Sequence, residues 1–313
     1  MRIAVIGAGI SGLSCCEALA GQGHQLAVFD KARGPGGRMS TRRVALGEAT
    51  LRFDHGAQYF TVRDPRFAAQ VAAWQSAGVA ARWPAAGPDA WVGTPGMNAP
   101  VKAMAARHAV SWQTRIEALE ARNGAWQLRG AGDAGRFDAV VVALPAEQAA
   151  ELVRSVHPRF ADRAAALPSA PCWTVMLAFS EPIPTDRHIV REAGAIGWAT
   201  RDGSKPGRGD AETWVVQATP AWSAAHLELA PEDAAGRLLP QFEAAIGTAL
   251  PPLCHLSAHR WRYARSGAAG PPGALWDGEA RLGACGDWLI APRVEAAWLS
   301  GRHLAEMIGA PAP

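Results

Sequence analysis

Nowhere does this chain string together the ~20 unbroken apolar residues that a membrane-crossing helix requires, so no membrane span is expected. Charge is also weak as an organised feature. The net charge is only +3 and the arginines are dispersed, which excludes the one-sided basic footprint of a nucleic-acid-binding protein. Cysteine occurs at only five positions, Cys15, Cys16, Cys172, Cys254 and Cys285. An odd count, without paired spacing or histidines alongside, argues against a disulfide framework and a zinc site. Reduced, mostly buried thiols in a cytoplasmic protein are the expectation. Lysine is confined to Lys31, Lys102 and Lys205, and tyrosine to Tyr59 and Tyr263.

What is present is a chain of 313 residues, 49% of them apolar, enough for one large or two intertwined domains. It opens MRIAVIGAGISGLSCCEALAGQGHQLAVFD. Residues 2–6 form a short apolar run suited to a buried parallel strand. Gly7, Gly9 and Gly12 follow as G-x-G-x-x-G, residues 10–20 read as a helix, and LAVF (26–29) reads as a second strand. Asp30 closes it at close to the ~20-residue spacing of the acid that binds a ribose hydroxyl. Gly7 permits the turn, Gly9 lets a pyrophosphate approach, and Gly12 lets helix and strand pack. The helix start near Ile10 and Ser11 offers free N–H groups and a positive dipole end to phosphates. Cleavage as a secretory signal would destroy this fingerprint, so the segment is read as structure.

The next stretch, DKARGPGGRMSTRR (30–43), selects the cofactor. A nicotinamide enzyme needs little after the acid, whereas this loop supplies Lys31, Arg33, Gly37, Arg38 and Met39. Arginine donors can neutralise a diphosphate, and glycines let the backbone lie against it. The expected ligand is FAD, held noncovalently, with Asp30 on the adenosine ribose and Arg38 at the diphosphate. DAVVVALP (138–145) reads as a buried strand ending at Leu144 and Pro145, and RLGACGD as a strand ending at Asp287. Asp287 is placed to accept a ribityl hydroxyl. The final helix would point the N–H groups of Val294, Glu295 and Ala296 at the flavin ring, where a positive helix end stabilises the reduced form. CWTVMLAF (172–179) and ETWVVQAT (212–219) read as half-buried strands, PEDAAGRLLPQFEAAIG (231–247) as a helix despite Pro240, and the stretch around Asn123-Gly124 as a hairpin. GSKPGRGD (203–210) reads as a mobile loop, either a plain surface turn or a substrate entrance.

With these residues in view, the chain resembles the flavin-containing amine oxidase superfamily and, within it, the bacterial renalases. The resemblance rests on DKARGPGGRMSTRR, FDHGAQYFTVRD, WVGTPGMNAPVKAMA, SKPGR, the WVVQATPAWSAAHLE run, HRWRYA and CGDWLIAPRVEAAWLSGR, which together span nearly the whole chain. It implies an α/β fold. An interrupted Rossmann-like FAD-binding domain, a parallel sheet with ββα units, would come from 1–60, 93–150 and 275–313. A substrate domain with an antiparallel sheet and helices would come from 61–92 and 151–274. A strand near Ile116 would present backbone to the adenine.

The implied reaction is oxidation of the 2- and 6-dihydro isomers of NAD(P)H to NAD(P)+, with O2 reduced to hydrogen peroxide. A dihydropyridine already favours hydride loss, so the reaction needs alignment more than an acid–base group, and no catalytic residue is nominated. Gly56, Ala57, Gln58, Tyr59 and Phe60 would lie where flavin meets substrate, with Gln58 orienting a carboxamide and Tyr59 or Phe60 walling the ring. Met97, Trp198 and Trp288 are further candidates for the pocket wall, and His55 is expected to cap or pack. A flavin-dependent amine oxidase is the second reading, although neither Lys102 nor Lys205 stands in an obvious strand context beside a flavin. A noncatalytic flavin or nucleotide sensor is the third.

Overall fold

A computed structural model describes residues 1–130, 132 and 134–310. Six strands form one sheet in the order Leu275–Asp277, Leu282–Ala284, Ala139–Val142, Arg2–Ile6, Gln25–Phe29, Val110–Ser111. All pairs are parallel except the outer Leu275–Asp277/Leu282–Ala284 pair. Its strands are drawn from three separated parts of the sequence. Both faces are covered, which explains the unbroken apolar runs. Ile3 and Val5 join one core cluster, and Ala4 and Ile6 the other. On the first face, helices Ile10–Gly21 and Val294–Gly309 touch backbone to backbone. A Cβ at Gly301 would stand 2.1 Å from the Ser11 carbonyl oxygen, and Ser14 Oγ donates to the Trp298 carbonyl at 2.7 Å. On the second lie helix Ala146–Val153 and the hairpin Ala118–Arg122/Ala125–Arg129. Its turn residues Asn123 and Gly124 take φ of 50° and 73°, the left-handed pair that a two-residue hairpin turn demands.

A second, five-stranded antiparallel sheet runs Ile189–Ala193, Ile196–Arg201, Thr213–Ala218, Ala170–Phe179, Leu253–Arg265. Period-two alternation divides its side chains. Trp173, Val175, Leu177 and Trp214 pack under helix Pro231–Ile246 through Leu238, Phe242 and Ile246. That helix runs through Pro240 as expected. Met176, Ala178 and Val215 face the other way and seat Leu51 and Phe53 of the hairpin Arg42–Leu46/Ala49–Phe53. This contact carries the antiparallel sheet to the segment that follows Phe53. A small sheet, Phe60–Thr61, Ala90–Gly93 and Ala80–Arg82, packs with helix Pro65–Ser76 beside it. No helix among the described residues is long and apolar enough to cross a membrane.

Candidate functional site

A cleft of about 2380 Å³ runs from the glycine-rich turn to the antiparallel sheet, well beyond the ~300–1,000 Å³ of an ordinary small-molecule pocket. At one end the chain turns on Gly7, whose φ is +107°. A Cβ there would sit 2.4 Å from the Ala143 carbonyl oxygen, and one at Gly12 would sit 2.0 Å from the Gly7 carbonyl oxygen; at Gly9 it would meet nothing within 4 Å. Gly7 and Gly12 therefore serve chain packing, while Gly9 keeps the cleft surface bare. Among the described residues no side chain caps helix Ile10–Gly21, and no acidic residue stands in its first turn, so its first N–H groups and positive dipole end have no counter-charge within the helix. Ser11 Oγ is buried at this helix start without a hydrogen-bond partner among the described residues. The Asp30 carboxylate is aimed by two backbone donors, Ala8 N at 2.7 Å and Ala32 N at 2.8 Å. A bare glycine surface, an uncapped helix start, an orphan hydroxyl and an oriented carboxylate fit the phosphates and ribose of a dinucleotide.

Arg38 crosses the cleft floor to Asp287. Its guanidinium donates twice, at 2.5 and 2.9 Å, and Ser266 Oγ donates to the same carboxylate at 2.9 Å. The sequence assigned these two residues separate ligand contacts; the structure joins them as a pair at the cleft wall, Arg38 29% exposed and Asp287 8%.

The segment Asp54–Tyr59 forms the middle of the cleft and is anchored from below. Asp54 is fully buried. It accepts from Thr41 Oγ1 at 2.7 Å, Met97 N at 2.9 Å and Arg208 Nη2 at 2.5 Å. Lys205, also buried, donates to Asp202 at 2.5 Å, to Gln58 Oε1 at 3.0 Å and to Asp54 at 3.4 Å. Asp202 closes the ring by accepting from Asp54 N at 2.8 Å. Two carboxylates thus face two cations out of water. Burial alone would raise the Asp54 carboxyl, but Lys205 and Arg208 hold it below the usual range. Burial raises Asp202, with Lys205 offsetting only part. The 203–210 stretch is therefore neither a plain surface turn nor an entrance: Lys205 and the Arg208 side chain are its buried anchors. Gln58 spends its amide on the same device, donating to the Asp54 and Gly56 carbonyls, so its side chain holds the segment and is not free to orient a carboxamide.

The antiparallel sheet supplies the opposite wall. Gln217 Nε2 donates to the Gly56 carbonyl at 2.7 Å and Trp261 Nε1 to the His55 carbonyl at 2.8 Å. His55, His259 and Trp261 form an edge-to-face and tilted cluster with centroids 4.5–5.2 Å apart. Arg42 Nη2 lies 3.4 Å from His259 Nδ1. Burial, then His259 and Arg42, push the His55 imidazole down to about 3; burial and Arg42 push His259 down to about 4. Both rings are neutral at pH 7. Tyr59 packs on Trp198 with centroids 5.5 Å apart.

Of the residues singled out from sequence, Gly7, Gly9, Ile10, Ser11, Asp30 and Lys31 line one end of the cleft, with Arg33, Gly37, Arg38 and Met39 beside them. Ile116, Leu144, Pro145, Asp287 and Val294 line its flanks; Gly56, Ala57, Gln58, Tyr59, Phe60 and Trp198 line its middle. Gly12, Met97, Trp288, Glu295 and Ala296 do not reach it. Met97 and Trp288 are fully buried in the core, because Met97 lies under the small sheet cluster and Trp288 turns its Nε1 to the Leu144 carbonyl at 3.1 Å. The Glu295 carboxylate accepts from Arg63 N at 2.6 Å and Asp64 N at 2.8 Å, tying the final helix to the chain leaving the small sheet. Arg42, Gln217, His259 and Trp261 were not selected from sequence. The alternation in HRWRYA places His259, Trp261 and Tyr263 on one strand face, but only the tertiary fold shows that this face meets the cleft.

Comparison with known proteins agrees with this architecture. A family model described as NAD(P)-binding Rossmann-like domain matches residues 5–73, and one described as flavin containing amine oxidoreductase matches residues 84–308. Among curated proteins, a 4,4'-diapophytoene desaturase (4,4'-diaponeurosporene-forming) from Staphylococcus aureus (strain Newman) is 50% identical over 40 residues. That match spans 13% of this chain and only 8% of the desaturase. Among solved structures, a protein assigned as a protoporphyrinogen oxidase from Exiguobacterium sp. 255-15 superposes with a TM-score of 0.77 at 12% identity, covering 98% of each chain. Cyclohexylamine oxidase from Brevibacterium oxydans IH-35A gives 0.71 at 14% identity, again over 98% of each chain. A variant of putrescine oxidase gives 0.72 at 13%, over 98% of this chain and 99% of the other. At these identities the superpositions speak for the fold alone.

Proposed function

Because the chain belongs to the flavin containing amine oxidoreductase family, and so is a flavin-dependent oxidoreductase, we propose that it binds FAD noncovalently and oxidises the 2- and 6-dihydro isomers of NAD(P)H to NAD(P)+. When bound, FAD would supply the redox chemistry, hydride acceptance and reduction of O2 to hydrogen peroxide. The chain's residues bind and orient. The uncapped helix at Ile10 and the Gly9 surface would take the pyrophosphate, Asp30 the adenosine ribose, and the Gly56–Ala57 backbone the ring edge. Tyr59 and Trp198 offer a flat apolar wall for a nicotinamide.

The observation that carries this reading is the charge of the substrate wall. Arg42 stands there beside two neutral imidazoles and pairs with no carboxylate among the described residues. Such a wall favours an anionic donor and opposes a protonated amine. The lysines of the cleft are Lys31 and Lys102, while Lys205 is locked below it. Amine oxidation is the second reading, favoured by the family description and by the two amine oxidases among the fold neighbours. Product analysis under air separates them. The proposal expects one NAD(P)+ and one peroxide per dihydro isomer consumed, with no aldehyde or ammonia from amines; the reverse pattern transfers the assignment to the second reading.

A further inference from the structure

We propose that Arg42 and His259 form an anion subsite that seats a phosphoryl group of the substrate. The inference rests on the reading of this cleft as the substrate's. Arg42 is not a loose surface side chain. It opens the hairpin Arg42–Leu46/Ala49–Phe53 in register with Phe53, and Phe53 and Leu51 are buried against Met176, Ala178 and Val215 of the antiparallel sheet. The guanidinium is thereby delivered to the cleft face, 3.4 Å from His259 Nδ1.

The hydrogen-bonding inventory then fixes what the pair can receive. A guanidinium only donates, so His259 Nδ1 accepts and its proton sits on Nε2. With the ring neutral, the pair offers the remaining guanidinium N–H groups and the Nε2–H, and no acceptor. Close by, His55 is 5% exposed and its Nδ1 has no partner among the described residues. Other arginines of the cleft show the contrast. Arg262 and Arg260 are answered by Glu228 at 2.7 and 3.1 Å, whereas Arg42 pairs with no carboxylate among the described residues. A corner of donors under a permanent charge matches the oxygens of a phosphoryl group, which a guanidinium grips with charge-assisted bonds. The phosphoryl group could belong to a dinucleotide substrate or be free inorganic phosphate; the commitment here is to the former.

The test uses FAD-loaded protein titrated with NAD+, nicotinamide riboside and inorganic pyrophosphate, followed by calorimetry and by perturbation of the flavin spectrum. Arg42→Gln is expected to weaken NAD+ by about ten- to a hundredfold, with partial recovery in Arg42→Lys and no change for nicotinamide riboside. Pyrophosphate should compete with NAD+ in the parent protein and lose its binding in Arg42→Gln. Equal weakening of NAD+ and the riboside, or unchanged NAD+ binding, overturns the subsite. Should NAD+ not bind the parent protein, the dihydronicotinamide reading fails, and the pyrophosphate titration still decides the subsite: binding abolished by Arg42→Gln supports it, and binding absent or indifferent to that change overturns it. Competition by inorganic phosphate with no preference for NAD+ over the riboside assigns the corner to the free ion and overturns the proposal. Thermal unfolding confirms that each variant is folded.

Discussion

Two charged clusters flank the segment Asp54–Tyr59, and they differ in one respect. Below it, Asp54, Asp202, Lys205 and Arg208 are buried and matched, carboxylate to cation, with Gln58 and backbone groups completing the hydrogen bonds. Beside it, Arg42 faces the cleft with an imidazole for company and no carboxylate among the described residues. A matched cluster out of water has nothing left to offer a ligand, and its role is to hold the segment still. An unmatched cation at the wall of a cleft is unfinished until something anionic arrives. Charge near a binding site is thus informative only together with its partners.

The largest expected effect comes from breaking the matched cluster. Asp54→Ala leaves Arg208 buried without a counter-charge and Lys205 with Asp202 alone, and should destabilise the protein by ~3–5 kcal/mol, read by denaturant unfolding. A loss under ~1 kcal/mol would mean that water enters the cluster and that the segment is not anchored as described. Next in size is the dinucleotide end. Asp30→Ala should weaken FAD retention by ~1.5–3 kcal/mol through loss of a charged acceptor, read as flavin released on dilution; unchanged retention removes Asp30 from the site. On the unmatched side, Arg42→Gln should shift stability by no more than ~0.5 kcal/mol, in contrast to Asp54→Ala. A loss comparable to that of Asp54→Ala would make Arg42 a structural residue and erase the comparison.

A different readout of the same wall is acid stability. His55 and His259 have folded values near 3 and 4 against an ordinary value of ~6.5. The unfolded chain therefore binds protons that the folded chain refuses. Their contribution to stability is complete above ~6.5 and is lost as pH falls toward those folded values. His259→Gln should flatten this slope between pH 6.5 and 4, and phosphate should blunt it in the parent protein. An unchanged slope in the variant would place the acid sensitivity elsewhere.

The Rossmann-like opening was legible in the sequence because it is local. Gly7, Gly9, Gly12 and Asp30 lie within one strand–helix–strand unit whose spacing is set by backbone geometry, and each stands where that geometry requires. The antiparallel strands and the hairpin at Asn123-Gly124 were legible for the same reason. The wall formed by Arg42 and His259 was not. Arg42 and His259 lie far apart in the chain, and whether an arginine is matched depends on which carboxylates the fold brings near. The same limit explains Lys205, whose stretch looks like a loose Gly-Pro loop until Asp54 and Asp202 are seen on either side. It also explains Met97 and Trp288, which stand next to cleft-forming stretches but turn inward.

The central claim, that the unmatched wall receives an anionic hydride donor, is tested most directly by mixing the FAD-loaded protein without oxygen with 2- and 6-dihydro-NAD(P), ordinary 4-dihydro-NAD(P)H, and primary and secondary amines, and following the flavin absorbance. Rapid bleaching by the 2- or 6-dihydro isomers is predicted, with little or none by the 4-dihydro form or the amines. The rate should vary little between pH 6 and 9, because no proton need leave the donor first. Rapid bleaching by an amine, with none by the dihydro isomers, would contradict the account.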